Sequence, residues 1–164
     1  MPEEKQQELK GAAEQGQFGV QKVYIKDISF ETPHSPKIFQ EKWNPSVNMD
    51  VSNTATALGE NLFEVVLAVT VTVSFEEKTV YLAEVHQAGI FHISGFTKEN
   101  VARILATMCP NILFPFAREL VADIAMRGGF PQLLLAPMNF EALFAQHVQQ
   151  AAAAAKESPA AKKH

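Results

Sequence analysis

The residues of this chain that could do chemistry are few and scattered. The single cysteine, Cys109, precedes Pro110 and is a candidate nucleophile, but no base or orienting group can be paired with it, and a small buried thiol explains it as well. Histidines at 34, 86, 92, 147 and 164 lack the i, i+4 or Cys-x-x-Cys-like spacing that gathers zinc ligands. His86 and His92 share parity, yet six residues of extended chain hold them about 20 Å apart, too far for one ion, so they read as surface or packing residues. The adjacent Glu76 and Glu77 point to opposite sides of a turn, unlike the facing carboxylates of acid–base catalysis. Neither GxGxxG nor GxxxxGK[ST] occurs, so nothing cradles ATP or a dinucleotide. No catalytic residue, metal site or cofactor is predicted. The rival that stays open is an acyl-handling enzyme using Cys109 or His86.

The elements that carry these residues belong to a chain of 164 residues, 47% hydrophobic and 20% charged, enough for one domain with a real core and too apolar for a disordered chain. One cysteine excludes an intrachain disulfide and fits a reducing cytosol. The net charge is −4, and residues 19–150 hold thirteen acids against nine bases, whereas 151–164 hold one acid and three bases. An acidic body without a Lys/Arg cluster argues against nucleic acid and for a basic partner. MPEEKQQELKG lacks the basic and apolar regions of a signal peptide. The longest apolar stretch, Val65 to Val73, is interrupted by Thr70 and Thr72 and falls short of the ~20 residues of a spanning helix, so no membrane insertion is expected.

Periodicity supplies the strands. VQKVYIKDISFE, from Val20 to Glu31, reads as a strand ended by Pro33 and Pro36. Val23 and Ile25 share parity with Asp27, whereas Ile28 and Phe30 have the other parity, so a bulge or strand end must intervene, or the faces are assigned wrongly. A crossing loop, KIFQEKWNP, carries Phe39 and the only tryptophan, Trp43. Val47, Met49 and Val51 then alternate with polar residues as in a half-buried strand. Leu62 to Glu77 puts Phe63, Val65, Leu67, Val69, Val71, Val73 and Phe75 on one face; burying these contributes roughly 10–20 kcal/mol before chain entropy is subtracted. The turn Glu76-Glu77-Lys78 leads into TVYLAEVHQAGIFHIS, completing an antiparallel meander.

Beyond Gly95 the period becomes 3.6. One helix begins near Thr97, carries Val101, Ile104, Leu105 and Met108, and stops at Pro110. A second, striped by Leu113, Phe116, Ala117, Leu120, Val121 and Ile124, ends at Gly128-Gly129. Asn139 caps a third with Phe140, Leu143, Phe144, His147 and Val148, which the alanines after 150 can extend. Strands followed by helices predict an α+β domain: a four-stranded antiparallel sheet with helices packed on one face, over residues 19–150, flanked by a flexible N-terminal arm at 1–18 and a mobile Ala/Lys-rich tail at 151–164. The open face then draws on Asp27, Ser29, Glu31, Glu64, Thr72, Leu82 and Glu84, acidic with one apolar spot. Twelve Phe and five Met could line a groove for varied apolar segments or form ordinary core.

The segments KDISFETP (26–33), EVVLAVTVTVS (64–74), CPNILFPFARE (109–119) and GGFPQLLLAPMNFEALF (128–144) resemble the SecB family of bacterial protein-export chaperones, over roughly residues 18–150. The resemblance implies a cytosolic, ATP-independent homotetramer, a dimer of dimers, that holds unfolded precursor proteins and delivers them to the SecA motor. It implies SecA docking at Asp27, Glu31, Leu82 and Glu84, with zinc in the motor's basic C-terminal tail and none in this chain. It implies a client groove at Trp43, Val47, Met49, Val51 and Phe144, and oligomer-sensitive or core positions at Tyr81, Ala83, Val85 and Gln87. The basic end AAAAAKESPAAKKH departs from the acidic tail usual in the family. A SecB-like chaperone with specialised toxin–antitoxin clients remains an alternative.

Overall fold

The computed structural model describes residues 15–42 and 44–157. Four strands, β1 (Gln17–Glu31), β2 (Ser46–Gly59), β3 (Leu62–Phe75) and β4 (Lys78–Ser94), make one antiparallel sheet in the order β1-β4-β3-β2. Three helices follow: α1 (Lys98–Ala106), α2 (Met108–Arg127) and α3 (Phe140–Glu157). Strands β2, β3 and β4 are consecutive hairpins. Strand β1 pairs with the far side of β4, so the chain between β1 and β2 must cross from one sheet edge to the other. A 3-10 turn at Lys37–Gln40 lies in that crossing and drives Ile38, 1% exposed, into the core.

The alternation in β3 is realised: Val65, Leu67, Val69, Val71 and Val73 are fully buried, while the residues between them are half-exposed. Their partners Tyr81, Ala83, Val85 and Gln87 on β4 point the same way, and α2 covers both strands with Leu113, Ala117, Val121 and Ala125. Non-polar burial on one face only is what a period of two dictates when helices follow the strands. Glu76 and Glu77 both adopt positive φ, 47° and 64°, the two-residue hairpin turn whose twist matches the flanking strands.

Several helix boundaries differ from those the sequence suggests. Thr97 caps α1, its side chain accepting from the Asn100 amide. Pro110 does not stop that helix. The break comes at Thr107, and Pro110 occupies the first turn of α2, where its missing N–H has no intrahelical acceptor to lose. The buried stripe of α2 also rotates: Phe114 is buried and Phe116 is 46% exposed, because Cys109, Leu113, Ala117, Val121 and Ala125 define the contact line. Asn139 caps α3 by accepting from the Ala142 amide, and the helix runs through the alanines to Glu157, so 151–157 continue α3. At the other end β1 begins at Gln17, inside the stretch read as arm, and β2 runs well past Ser52. The stretch Lys98–Arg127 has the length and composition of a membrane span, but it is two helices, and α2 buries eight residues in this domain's core.

The C-terminus of α2 ties the crossing segment to the core. Phe130 N–H donates to Ala125 O and Gly129 N–H to Met126 O, with Gly129 at φ +89°, a left-handed cap. The cap delivers Phe130 into an aromatic cluster with Phe30 of β1, Phe39 of the crossing and Tyr81 of β4, ring centroids 4.8–6.2 Å apart. Gly128 faces Phe30 so closely that a Cβ would lie 2.3 Å from its ring. Gly128→Ala is therefore expected to lower unfolding stability by about 1–3 kcal/mol, read from urea midpoints, with partial recovery in Gly128→Ala/Phe30→Leu.

Candidate functional site

The open face of the sheet is built by register. Its rows, reading β1-β4-β3-β2, are Glu31–Leu82–Thr72–Asn48, Ser29–Glu84–Thr70–Asp50 and Asp27–His86–Ala68–Ser52. Asp27 and Glu31 reach this face because Lys26 is bulged. Ile25 opposes Gln87 and Asp27 opposes His86, so the pleat skips one residue. The bulge reconciles the conflicting parities: Val23, Ile25, Ile28 and Phe30 all face the helices, and Asp27, Ser29 and Glu31 all face away. A second shift near Gln21 does the same for Val20. The four positions Asp27, Glu31, Leu82 and Glu84 therefore share one patch, with Asp50 behind them.

The other half of this face is neutralised internally. Lys26 Nζ donates to Glu64 Oε1 at 2.7 Å, and the Tyr24 hydroxyl donates to Glu64 Oε2, reaching across β4 over Ala88. These bonds hold the Glu64 carboxyl below its ordinary range, and burial followed by the Glu64 bond pushes the Tyr24 phenol up to about 12. On the acidic half, His86 Nε2 lies 2.6 Å from Glu84 Oε1.

On the helix side, Val47 is 47% exposed, and Met49 and Val51 are half-buried beside Val71 and Val69. Phe144 is half-buried on α3, whose principal contacts are with α1 and α2, so it is not brought beside that β2 row. Trp43 lies outside the described residues. Tyr81, Ala83, Val85 and Gln87 are all under 4% exposed and lie inside this chain's own core. Two features escaped sequence reading. One is the Phe30–Phe39–Tyr81–Phe130 cluster, whose members come from four separate segments. The other is a groove of about 800 Å³ between β1 and α2, where Ile25, Phe116, Met126 and Leu134 are exposed. Gln87 Oε1 and Arg118 Nε, both buried without a partner, belong to its lining. The exposed side of α2 would have been visible had its stripe been centred on Leu113, Ala117 and Val121.

Cys109 is fully buried, and burial pushes its thiol up to about 12, the opposite of an activated nucleophile. A family model described as SecB, preprotein translocase subunit SecB, matches residues 11–151. The chain belongs to the SecB family. It is 52% identical over 146 residues to the protein-export protein SecB of Nitrosococcus oceani, covering 88% of this chain and 89% of that one. It is 56% identical over 135 residues to the protein-export protein SecB of Methylococcus capsulatus, covering 82% and 87%. Among solved structures, a SecB-like chaperone of Mycobacterium tuberculosis in complex with an antitoxin peptide shares the fold, with TM-score 0.63 at 19% identity over 74% of this chain and 91% of that one. This chain is a protein-export chaperone and not an enzyme.

The Tyr24–Glu64–Lys26 cluster gives a pH signature. Because the folded Glu64 value is depressed, its contribution to stability is present above the ordinary carboxylate value of 4.5 and is lost as pH falls through the folded value. Tyr24 has the opposite sign: its contribution holds below 10.0 and is lost as pH rises towards about 12. Urea unfolding of wild type and Glu64→Gln should therefore differ most at neutral pH and converge below pH 4.5.

Proposed function

We propose that this chain acts in the cytosol without ATP, keeps precursor proteins unfolded for export, and passes them to the SecA motor as a homotetramer built from two dimers. The carrying observation is the acidic half-face, where Asp27, Glu31 and Glu84 surround Leu82 on a surface that no helix covers among the described residues. Opposite charge on the motor's basic, zinc-containing tail suits it, and the zinc is the partner's. Rim carboxylates act mainly on association rate and salt dependence, while Leu82 supplies a small apolar anchor.

Clients are assigned to the other side of the sheet. The row Val47, Met49 and Val51 leads toward the aromatic cluster, where Phe39 is half-exposed; Trp43 and Phe144 are client residues by resemblance alone, and Phe144 lies on α3 away from this row. Such a surface needs no motif in the client, only apolar chain that a folded protein hides. Selection becomes kinetic: a precursor that folds slowly is caught, and one that folds before association escapes. Several grooves on one assembly hold a long chain by avidity.

A second copy is favoured at the β1–α2 groove. Four large apolar side chains are exposed there, and Gln87 Oε1 and Arg118 Nε would each cost about 1–3 kcal/mol if left buried and unpaired.

The deciding experiment is calorimetry of Glu84→Lys and wild type with SecA at low and moderate salt. The variant should lose about tenfold or more in affinity while remaining tetrameric and still holding unfolded precursor. Unchanged affinity rejects the docking face. Separately, Met126→Lys should sediment as a smaller species and hold precursor less tightly than wild type; a tetramer of full holding strength would reject this groove as the subunit contact.

A further inference from the structure

The closest polar contact on the acidic half-face joins two residues of one strand. His86 Nε2 lies 2.6 Å from Glu84 Oε1, and the two side chains are 31% and 38% exposed. An ionised carboxylate can only accept, so Nε2 carries a hydrogen in this contact, and Nδ1 is the atom that gains or loses the second proton. The same geometry thus exists in two charge states. With a neutral ring, the N–H fixes one Glu84 oxygen and leaves the other, with its full charge, for a partner. With an imidazolium, the two side chains form an ion pair and the carboxylate's charge is cancelled locally.

The surrounding groups make this one proton count. Asp27 stands opposite His86 on β1, Glu31 opposite Leu82, and Asp50 lies on β2 in the row of Glu84 and Thr70. The neighbouring cation on this face, Lys26, is engaged by Glu64, as is the Tyr24 hydroxyl. No helix packs against this face among the described residues. His86 is therefore the group on the acidic half that can offset one of its negative charges, and histidine is the side chain whose charge ordinarily changes between pH 5 and 8.

We infer that His86 is a positioning residue of the docking face: neutral, it orients Glu84 toward a basic partner; protonated, it competes with that partner for the same carboxylate. Docking is then proton-sensitive on this chain's side. The inference rests on the reading that the acidic half-face docks a basic segment, and the test separates the two.

Calorimetric titrations with the zinc-loaded SecA tail peptide, at pH 8, 7 and 6 and constant ionic strength, should show wild-type affinity falling by about two- to five-fold toward pH 6, the size of one exposed charge pair. His86→Gln keeps an N–H donor and cannot titrate, so, whatever its affinity at pH 8, its binding should change less than that of wild type on acidification. His86→Lys should be weak at every pH. Comparing wild type with His86→Gln cancels any titration of the peptide itself. If Glu84→Lys binds as well as wild type at pH 8, the docking reading fails. If Glu84→Lys loses binding but wild type and His86→Gln share one pH profile, docking stands and the role of His86 is overturned.

Discussion

Lys26 has no partner on β4, and the rest of the working surface follows from that one unpaired residue. The side-chain period of a strand is two, so a regular β1 would send either Val23 and Ile25 or Ile28 and Phe30 into water. Inserting one residue reverses the parity half-way along, and all four apolar side chains face the helices. The same reversal turns Asp27, Ser29 and Glu31 outward in register with Glu84 and Leu82. The bulged residue is then fastened by its own side chain to Glu64 on β3, across the intervening β4.

Covering only one face of the sheet has a second consequence. Strand β3 and its neighbour β4 are sealed by α2, but the helix is too narrow to span four strands, so apolar side chains stay exposed at both margins: Ile25 and Ile28 beside α2 on the β1 side, Val47 on the β2 side. A protein-export chaperone can use such apolar margins, whereas an enzyme would need convergent polar groups. The thiol of Cys109 is pushed up by burial and faces core, so the most reactive side chain in the sequence has only a packing role.

Two kinds of surface are kept apart by the thickness of the sheet. The acidic half-face is polar and solvated, suited to rapid, salt-sensitive association. The aromatic end of the helix side is apolar: Tyr81 and Phe130 are buried in the cluster with Phe30, and Phe39 is its half-exposed member. A single strand, β4, contributes to both sides: Leu82 and Glu84 point to the open face and Tyr81, Ala83 and Val85 into the core.

Sequence alone determined the elements whose signal is local. The two-residue period of Phe63 to Phe75, the switch to 3.6 after Gly95, the caps at Thr97 and Asn139 and the stop at Gly128-Gly129 are all written in neighbouring residues, and so is the family, through CPNILFPFARE and its companion segments. The acidic patch was legible as a list of outward residues. What it could not supply was any choice that depends on which surfaces meet. Pro110 looked like a stop until the break at Thr107 put it in a first turn, and Phe116 looked buried until the contact line of α2 on β3 and β4 excluded it. The aromatic cluster and the β1–α2 groove draw on segments up to a hundred residues apart, and the Lys26 bulge was one of several solutions until its pairing with β4 selected it. Propensity and periodicity act over a few residues; register, helix rotation and cluster formation are set by packing between segments distant in sequence, and only the tertiary structure decides them.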